Sequence, residues 1–409
     1  MRRYILSTLL AAIASATTLA QTIYICKDGS YTKQDLSDGL EIGLNEGIDS
    51  ITFHVPSIEK AVSITYSGTS AQVNIPSFIE GVTCTSGNSS DVVLTSTNTT
   101  DEITYNVTGT TTDGSLTING DYKLTLALNG ASIISSKKAA INIACGKRIA
   151  LVMADGSVNS LTDAANGTNK ACLYTKGHLE ISGAGTLNVT GNTNHAIASK
   201  EYLQVKRSVK AINILKAAND AIHAGQYIQV NGGEINVTST TTNDALQAEY
   251  KLDGNDAIIQ EEENTGSIIV KGGTLNIDLA NAQDAKGLKA EGDIIISGGT
   301  FRINASSNGS RGMQTDANMV INQTDAATSI IINASGTKCT VADDAADPHN
   351  CMGIKADGNV TINDAAVEVY NTGKKAKGIK VKGTCTINGT VRSSGTINEG
   401  GIKAVIDNK

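Results

Sequence analysis

Apolar residues recur along this chain with a period too long for a helix. The stretch from Asn219 to Val237 shows the unit: Ala221 and Ile222 as apolar beats, Gly225 at a turn, the alternating run Tyr227-Ile-Gln-Val230, a Gly232-Gly233 corner, and a second alternating run to Val237. Related phrases follow at Asp244-Ala-Leu-Gln-Ala-Glu249, Lys286-Gly-Leu-Lys-Ala-Glu291, Arg311-Gly-Met-Gln-Thr-Asp316, Met352-Gly-Ile-Lys-Ala-Asp357 and Lys377-Gly-Ile-Lys380. In register they give the column Ile141, Leu173, Ile197, Ile222, Leu246, Leu288, Met313, Ile354, Ile379, Ile402, with most steps 23 to 25 residues. A second apolar column follows eight residues later at Ile149, Ile181, Val205, Val230, Ile296, Ile321, Ile362 and Ile387. After Leu246 it is delayed to Val270 by an insertion.

Within each unit the apolar positions alternate with period two, as on half-buried strands. Gly-Gly pairs at 232–233, 272–273 and 298–299 mark corners. Several short strands per coil, repeated in register, predict an all-β parallel β-helix. In such a solenoid no single coil can bury its apolar face alone. Ten rungs predict a rod of roughly 45–50 Å at ~4.8 Å per rung.

The repeat assigns 115–409 to the solenoid. Residues 1–20 have a basic start, an apolar middle and small residues before Gln21, which reads as a secretory signal peptide. No other segment is apolar for long enough to span a bilayer. Residues 21–84 read as a small β-rich region capping the rod, with strands at 51–55, 61–66 and 72–75. Residues 85–114, rich in Ser, Thr, Asn and Gly, read as a linker or irregular first coil. Two insertions leave the rod: one at 250–264, the other between Ile321 and Ile354, containing Asp343-Asp-Ala-Ala-Asp-Pro-His349.

Composition narrows the classes. A net charge of −7 argues against a general nucleic-acid binder. No Trp and only three Phe argue against a platform of stacked aromatics for sugars. Seven Cys in an exported chain cannot all pair internally. Cys26 with Cys84, and Cys339 with Cys351, are candidate staples. Cys172 falls where other units carry Ala or Gly and reads as a small core residue. Asn188, Asn213, Asn236 and Asn276 form a column that reads as a structural amide ladder.

Two further columns carry chemistry. Asp220 is stacked under Asp244, with His195 one rung earlier and Asp284 near the same corner one rung later. Stacked carboxylates repel by roughly 3 kcal/mol at an effective dielectric near 20, and Ca²⁺ relieves this with oxygen ligands at flexible geometry. Asp220, Asp244, Glu249 and Asp284 are therefore the candidate ligands, with Asn219 and Asn243 as further oxygens. The competing reading is that Asp and Asn stand there because they suit tight corners. The second column is His223, Gln247, Lys289, Gln314, Lys355, Lys380 and Lys403, flanked by Glu249, Glu291, Asp316 and Asp357. It is either a solvated face with weak ion pairs or a stripe that takes an extended acidic polymer such as polygalacturonate.

The phrases Ala139-Ala-Ile-Asn-Ile143, Leu151-Val-Met-Ala-Asp-Gly-Ser-Val-Asn-Ser-Leu-Thr-Asp163, Lys176-Gly-His-Leu-Glu-Ile-Ser-Gly-Ala-Gly-Thr-Leu187 and His195-Ala-Ile-Ala-Ser199, followed by the Asp-Ala-Ile and Lys-Gly-Ile-Lys-Ala-Asp repeats, resemble the secreted bacterial carbohydrate-binding β-helix proteins. That group binds plant cell-wall polymers and calcium, and is similar in fold to family-9 pectate lyases. Over residues 115 to 409 the resemblance implies a right-handed, calcium-bearing β-helix, exported and monomeric, that holds polygalacturonate or β-glucan. The calcium role carries onto Asp220 and Asp244, and onto Asp284 less directly, because it is shifted from the corner. The chain departs from the pattern at Gln247, where such proteins often repeat an acidic residue. A lyase alternative draws on Lys286 and Lys289, beside the Asp cluster, as the base for β-elimination; a structural or adhesion protein of the cell surface is the third reading.

Overall fold

The computed structural model describes residues 61–393 apart from 239, 260–262, 342–343 and 375, together with the strand segments 22–27, 30–35, 48–52, 397–399 and 402–404. The segment 1–20, expected to be a signal peptide, lies outside the described residues, as do 53–55 of the strand expected at 51–55.

Every regular element among the described residues is a strand. One turn illustrates the rest. His195–Ser199, Leu203–Val205 and Ala211–Ala217 run in order around the rod, and the next turn repeats them as Ile222–Ala224, Ile228–Val230 and Glu234–Val237. Each strand pairs in parallel with its successor, Ile197 opposite Ile222, Leu203 opposite Ile228 and Ile212 opposite Ile235. The inward residues Ile197, Leu203, Val205, Ile212 and Ile214 are wholly buried. At each Gly-Gly corner the second glycine takes a left-handed backbone, with φ of 81° at Gly233, 98° at Gly273 and 120° at Gly299. A side chain is disfavoured there.

The face built on the first strand of each turn carries the reference column. Its pairing runs Val92, Leu116, Ile141, Leu173, Ile197, Ile222, Leu246, Leu288, Met313, Ile354, Ile379, Ile397. The rod thus has about twelve turns rather than ten. Two lie upstream, where Val92, Leu94, Leu116 and Ile118 supply alternating core residues within a Ser/Thr-rich stretch. The terminal register also differs: Ile397, not Ile402, follows Ile379, and Ile402–Ala404 turns back antiparallel on Ile397–Glu399. In the second column Ile181 follows Leu151 rather than Ile149.

Both ends of the rod reverse the chain. Ala61–Gly68 lies parallel to Ile103–Thr111, and Ser70–Asn74 folds back antiparallel on it. Val82–Cys84 pairs antiparallel with Asp91–Ser96. Further upstream, Thr22–Lys27 sits between Ser30–Asp35 and Ile48–Thr52 in an antiparallel sheet.

The asparagine column is an amide ladder: Asn213, Asn236 and Asn276 each donate to the preceding Asn at 2.8 Å. Cys172 is wholly buried. Cys84, Cys339 and Cys351 are thiols, so neither expected staple is formed; Cys351 Sγ instead donates to the Ala305 carbonyl at 3.2 Å.

Candidate functional site

The corner that opens the first face is a charged column. Register places Ala171, His195, Asp220, Asp244, Lys286, Arg311, Met352 and Lys377 one above another. The two carboxylates are almost wholly buried, at 1% and 2% exposure. Each uses one oxygen to hold the next turn: Asp220 Oδ1 accepts the Asp244 N–H at 3.1 Å, and Asp244 Oδ1 accepts the Lys286 N–H at 2.7 Å. Groups that can donate to a carboxylate stand on both sides of the pair. His195 stands one turn below and His223 on the same turn, each with Nδ1 3.1 Å from Asp220 Oδ2. Above stands Lys286, whose Nζ is 4.0 Å from Asp244 Oδ1.

These neighbours set the titration of the two acids. Burial pushes Asp220 up, but the His195 and His223 imidazoles override it and hold the group at about 2. Burial dominates at Asp244 and raises it to about 6, against the pull of Lys286. Burial lowers His223, but Asp220 and Glu249 more than compensate and raise it.

The expected calcium ligands do not converge. Asp284 lies two residues before the column, in a left-handed conformation with φ 58°, and faces a different set of partners. Its Oδ2 accepts from Lys286 Nζ at 3.1 Å, and its Oδ1 is 2.7 Å from His349 Nδ1 and 3.8 Å from the Arg311 guanidinium. Glu249 accepts from Gln247 at 3.0 Å and lies 3.6 Å from His223 Nε2. The Asn219 and Asn243 amides are spent on a ladder with Asn194, and Asn243 also donates to Asp220. Among the described residues, the grouping of three or more metal-ligand side chains with donor atoms within 4.8 Å is His195, Asp220 and His223. Two imidazoles and one carboxylate are a poor set for Ca²⁺, which takes six to eight oxygens.

The stripe is in register from turn to turn: His223, Gln247, Lys289, Gln314, Lys355, Lys380, then Asn398 rather than Lys403. Its exposure is uneven. Gln314 is buried at 6%, gripped by the Arg311 guanidinium. Lys355 is ion-paired to Asp357 at 3.2 Å, and Lys382 reaches the same carboxylate at 2.7 Å. Lys289 and Lys380 are half-buried and, among the described residues, form no ion pair. Lys286, a candidate base, is 8% exposed and bonded to Asp284, a poor position from which to take a proton from a polymer.

Three aromatic rings do stack, at the corner leading to the second face. His178 and Tyr202 lie 4.3 Å apart, and Tyr202 and Tyr227 4.9 Å apart, with planes within 20°. Both faces of Tyr202 are covered by its neighbours, so the stack braces the corner. Sequence reading missed the role of Arg311 and left His195 out of the ligand set. Aligning the residue two before each reference position places both in the Asp220–Asp244 column.

Fold and surface together define a parallel β-solenoid with one polar, in-register face. A family model described as carbohydrate-binding domain-containing protein matches residues 90–400, and the chain belongs to that family. A curated relative of the same description from Acetivibrio thermocellus is 30% identical over 111 residues, which is 25% of this chain and 39% of the relative. This chain thus spans well under half of that relative's length. The solved structure of a polysaccharide lyase-like protein from C. thermocellum, a gadolinium derivative, aligns over 82% of this chain and 97% of its own at 18% identity, with a TM-score of 0.43.

Proposed function

We propose that the protein is exported and holds an extended acidic polysaccharide, of the polygalacturonate kind found in plant cell walls, along the stripe of the first face. The observation that carries this reading is the register of His223, Gln247, Lys289, Gln314, Lys355 and Lys380, one polar side chain per turn on a straight face. Turns repeat at about 4.8 Å, the scale of one sugar residue in an extended chain. The attraction is concentrated at Lys289 and Lys380, because Lys355 is partly neutralised by Asp357, a carboxylate it shares with Lys382. Each contact is a weak, screened ion pair. Affinity comes from several acting on one polymer.

Affinity electrophoresis in polygalacturonate and in a neutral β-glucan tests the reading. Retardation by polygalacturonate is expected to be strong at low salt and largely lost by about 0.3 M NaCl, where the Debye length is shorter than in physiological saline. Lys289→Gln with Lys380→Gln is expected to weaken it severalfold, whereas Lys355→Gln changes little. Unchanged retardation of the double variant at low salt, or equal retardation by the neutral glucan, overturns the acidic-polymer reading. Appearance of unsaturated uronate, absent from this proposal, would favour the lyase instead.

A further inference from the structure

The geometry points to a binding site for one divalent transition-metal ion, of the zinc or cobalt kind, formed by His195, Asp220 and His223. Both imidazoles turn Nδ1 toward the same carboxylate oxygen, each at 3.1 Å. Donors about 2.0–2.2 Å from a tetrahedral ion stand roughly 3.3–3.6 Å from one another. Both nitrogen–oxygen separations are close to this, all three donors lie within 4.8 Å of one another, and a tilt of the rings toward each other lets them share an ion. The His195 nitrogen is the telling member. It is buried and within reach of Asp220, yet makes no hydrogen bond. Buried polar atoms are seldom left so, and a lone pair aimed at a metal accounts for it.

The surroundings hold the three donors as a site. Asp220 Oδ1 is fixed by the Asn243 amide at 2.8 Å and the Asp244 N–H at 3.1 Å, which leaves Oδ2 directed at the imidazoles. The rings stack at 4.2 Å with planes 25° apart, which brings both Nδ1 atoms to the same edge of the stack; sharing an ion requires the planes to open further. Glu249 Oε2 lies 3.6 Å from His223 Nε2, the far nitrogen, placed to orient the ring as outer-shell carboxylates do around metal-binding histidines. Nitrogen with one carboxylate suits zinc, cobalt or nickel rather than calcium or magnesium. The side chains of His195 and His223 keep 12% and 16% exposure. A three-ligand site at the surface leaves a fourth position for water or for a hydroxyl or carboxylate oxygen. The site stands whether or not the stripe binds glycan, because its test uses metal alone.

The experiment titrates the chelator-treated full chain with Co²⁺, followed by visible absorption, and with Zn²⁺, followed by calorimetry. One equivalent is expected to bind at micromolar concentration, with ligand-field bands and without the intense near-ultraviolet bands of thiolate ligation. His195→Phe and His223→Phe each keep a ring in the stack and remove a nitrogen. Each is expected to weaken binding at least tenfold while Ca²⁺ has no effect on any of the three proteins. A second measurement needs no variant: Zn²⁺ is expected to protect only His195 and His223, among the five histidines, from acylation read by peptide mass spectrometry. No stoichiometric binding, thiolate bands, variants that bind like the parent, or protection elsewhere overturns the assignment.

Discussion

At the scale of single residues, the position just before each reference residue decides how tightly the first strand can approach the core. It is Cys172, Ala196, Ala221, Ala245, Gly287, Gly312 and Gly353 on successive turns, small throughout. A Cβ added at Gly312 would meet Ile332 Cγ2 at 2.5 Å, and one at Gly353 would meet Val369 Cγ1 at 2.3 Å. Both neighbours are buried core residues with nowhere to move. Gly312→Ala is therefore expected to lower unfolding free energy by about 1–3 kcal/mol through overpacking. Cys172→Ala, which removes a single buried sulfur from the same column, should cost about 1 kcal/mol. Denaturant melts of the two variants check the contrast, and equal losses would show that crowding is not what the glycines relieve.

At the scale of elements, the strands of one face are joined by side-chain ladders as well as by backbone pairing. Asn213 sits mid-ladder, donating to Asn188 and accepting from Asn236, each at 2.8 Å. Asn213→Ala leaves an acceptor on one side and a donor on the other without partners, a loss of about 1–3 kcal/mol. Asn388→Ala breaks one exposed 2.9 Å bond and should cost less. Thermal melts that rank the two variants in the other order would argue against the ladder as a stabilising element. This ladder was legible in the sequence, because period-two alternation and a fixed repeat leave little choice of register. So was the column Ile141 to Ile379. What escaped the sequence was set by lengths and partners that the repeat does not encode. The first turns were hidden because Val92 and Leu94 lie among Ser and Thr, and the last because only eighteen residues separate Ile379 from Ile397. Asp284 was misplaced because the insertion before Lys286 shifts the corner. Its partner His349 comes from the end of a separate hairpin, 65 residues along the chain. Nor does the sequence say that Asp220 Oδ2 faces imidazoles instead of Asp244, since His195 and Asp244 are each one turn away, on opposite sides.

At the scale of the whole molecule, about twelve turns at ~4.8 Å make a rod of about 53 Å between first and last strands. Its N-terminal end is closed by Ala61–Gly68 and Ser70–Asn74, which cover the open edge of Ile103–Thr111. An uncovered edge of parallel strands is a template for association. Removing residues 61–74 is expected to give higher oligomers on size-exclusion chromatography than the full chain gives. A truncated chain with an unchanged elution profile would show that the edge needs no cover.

The register of the stripe has one more consequence. A lattice of near-equivalent positions offers a polymer many placements, each displaced from the last by a single turn. On the proposed function, a bound glycan would not need to let go in order to move; it would creep along the rod, exchanging one lysine for the next. The sites are not identical, however. Gln247 and Gln314 interrupt the cations, and Lys355 is half-neutralised by its own carboxylate. If the stripe holds glycan as proposed, its strongest positions are Lys289 and Lys380, so a captured chain would dwell at these two and step between them before dissociating.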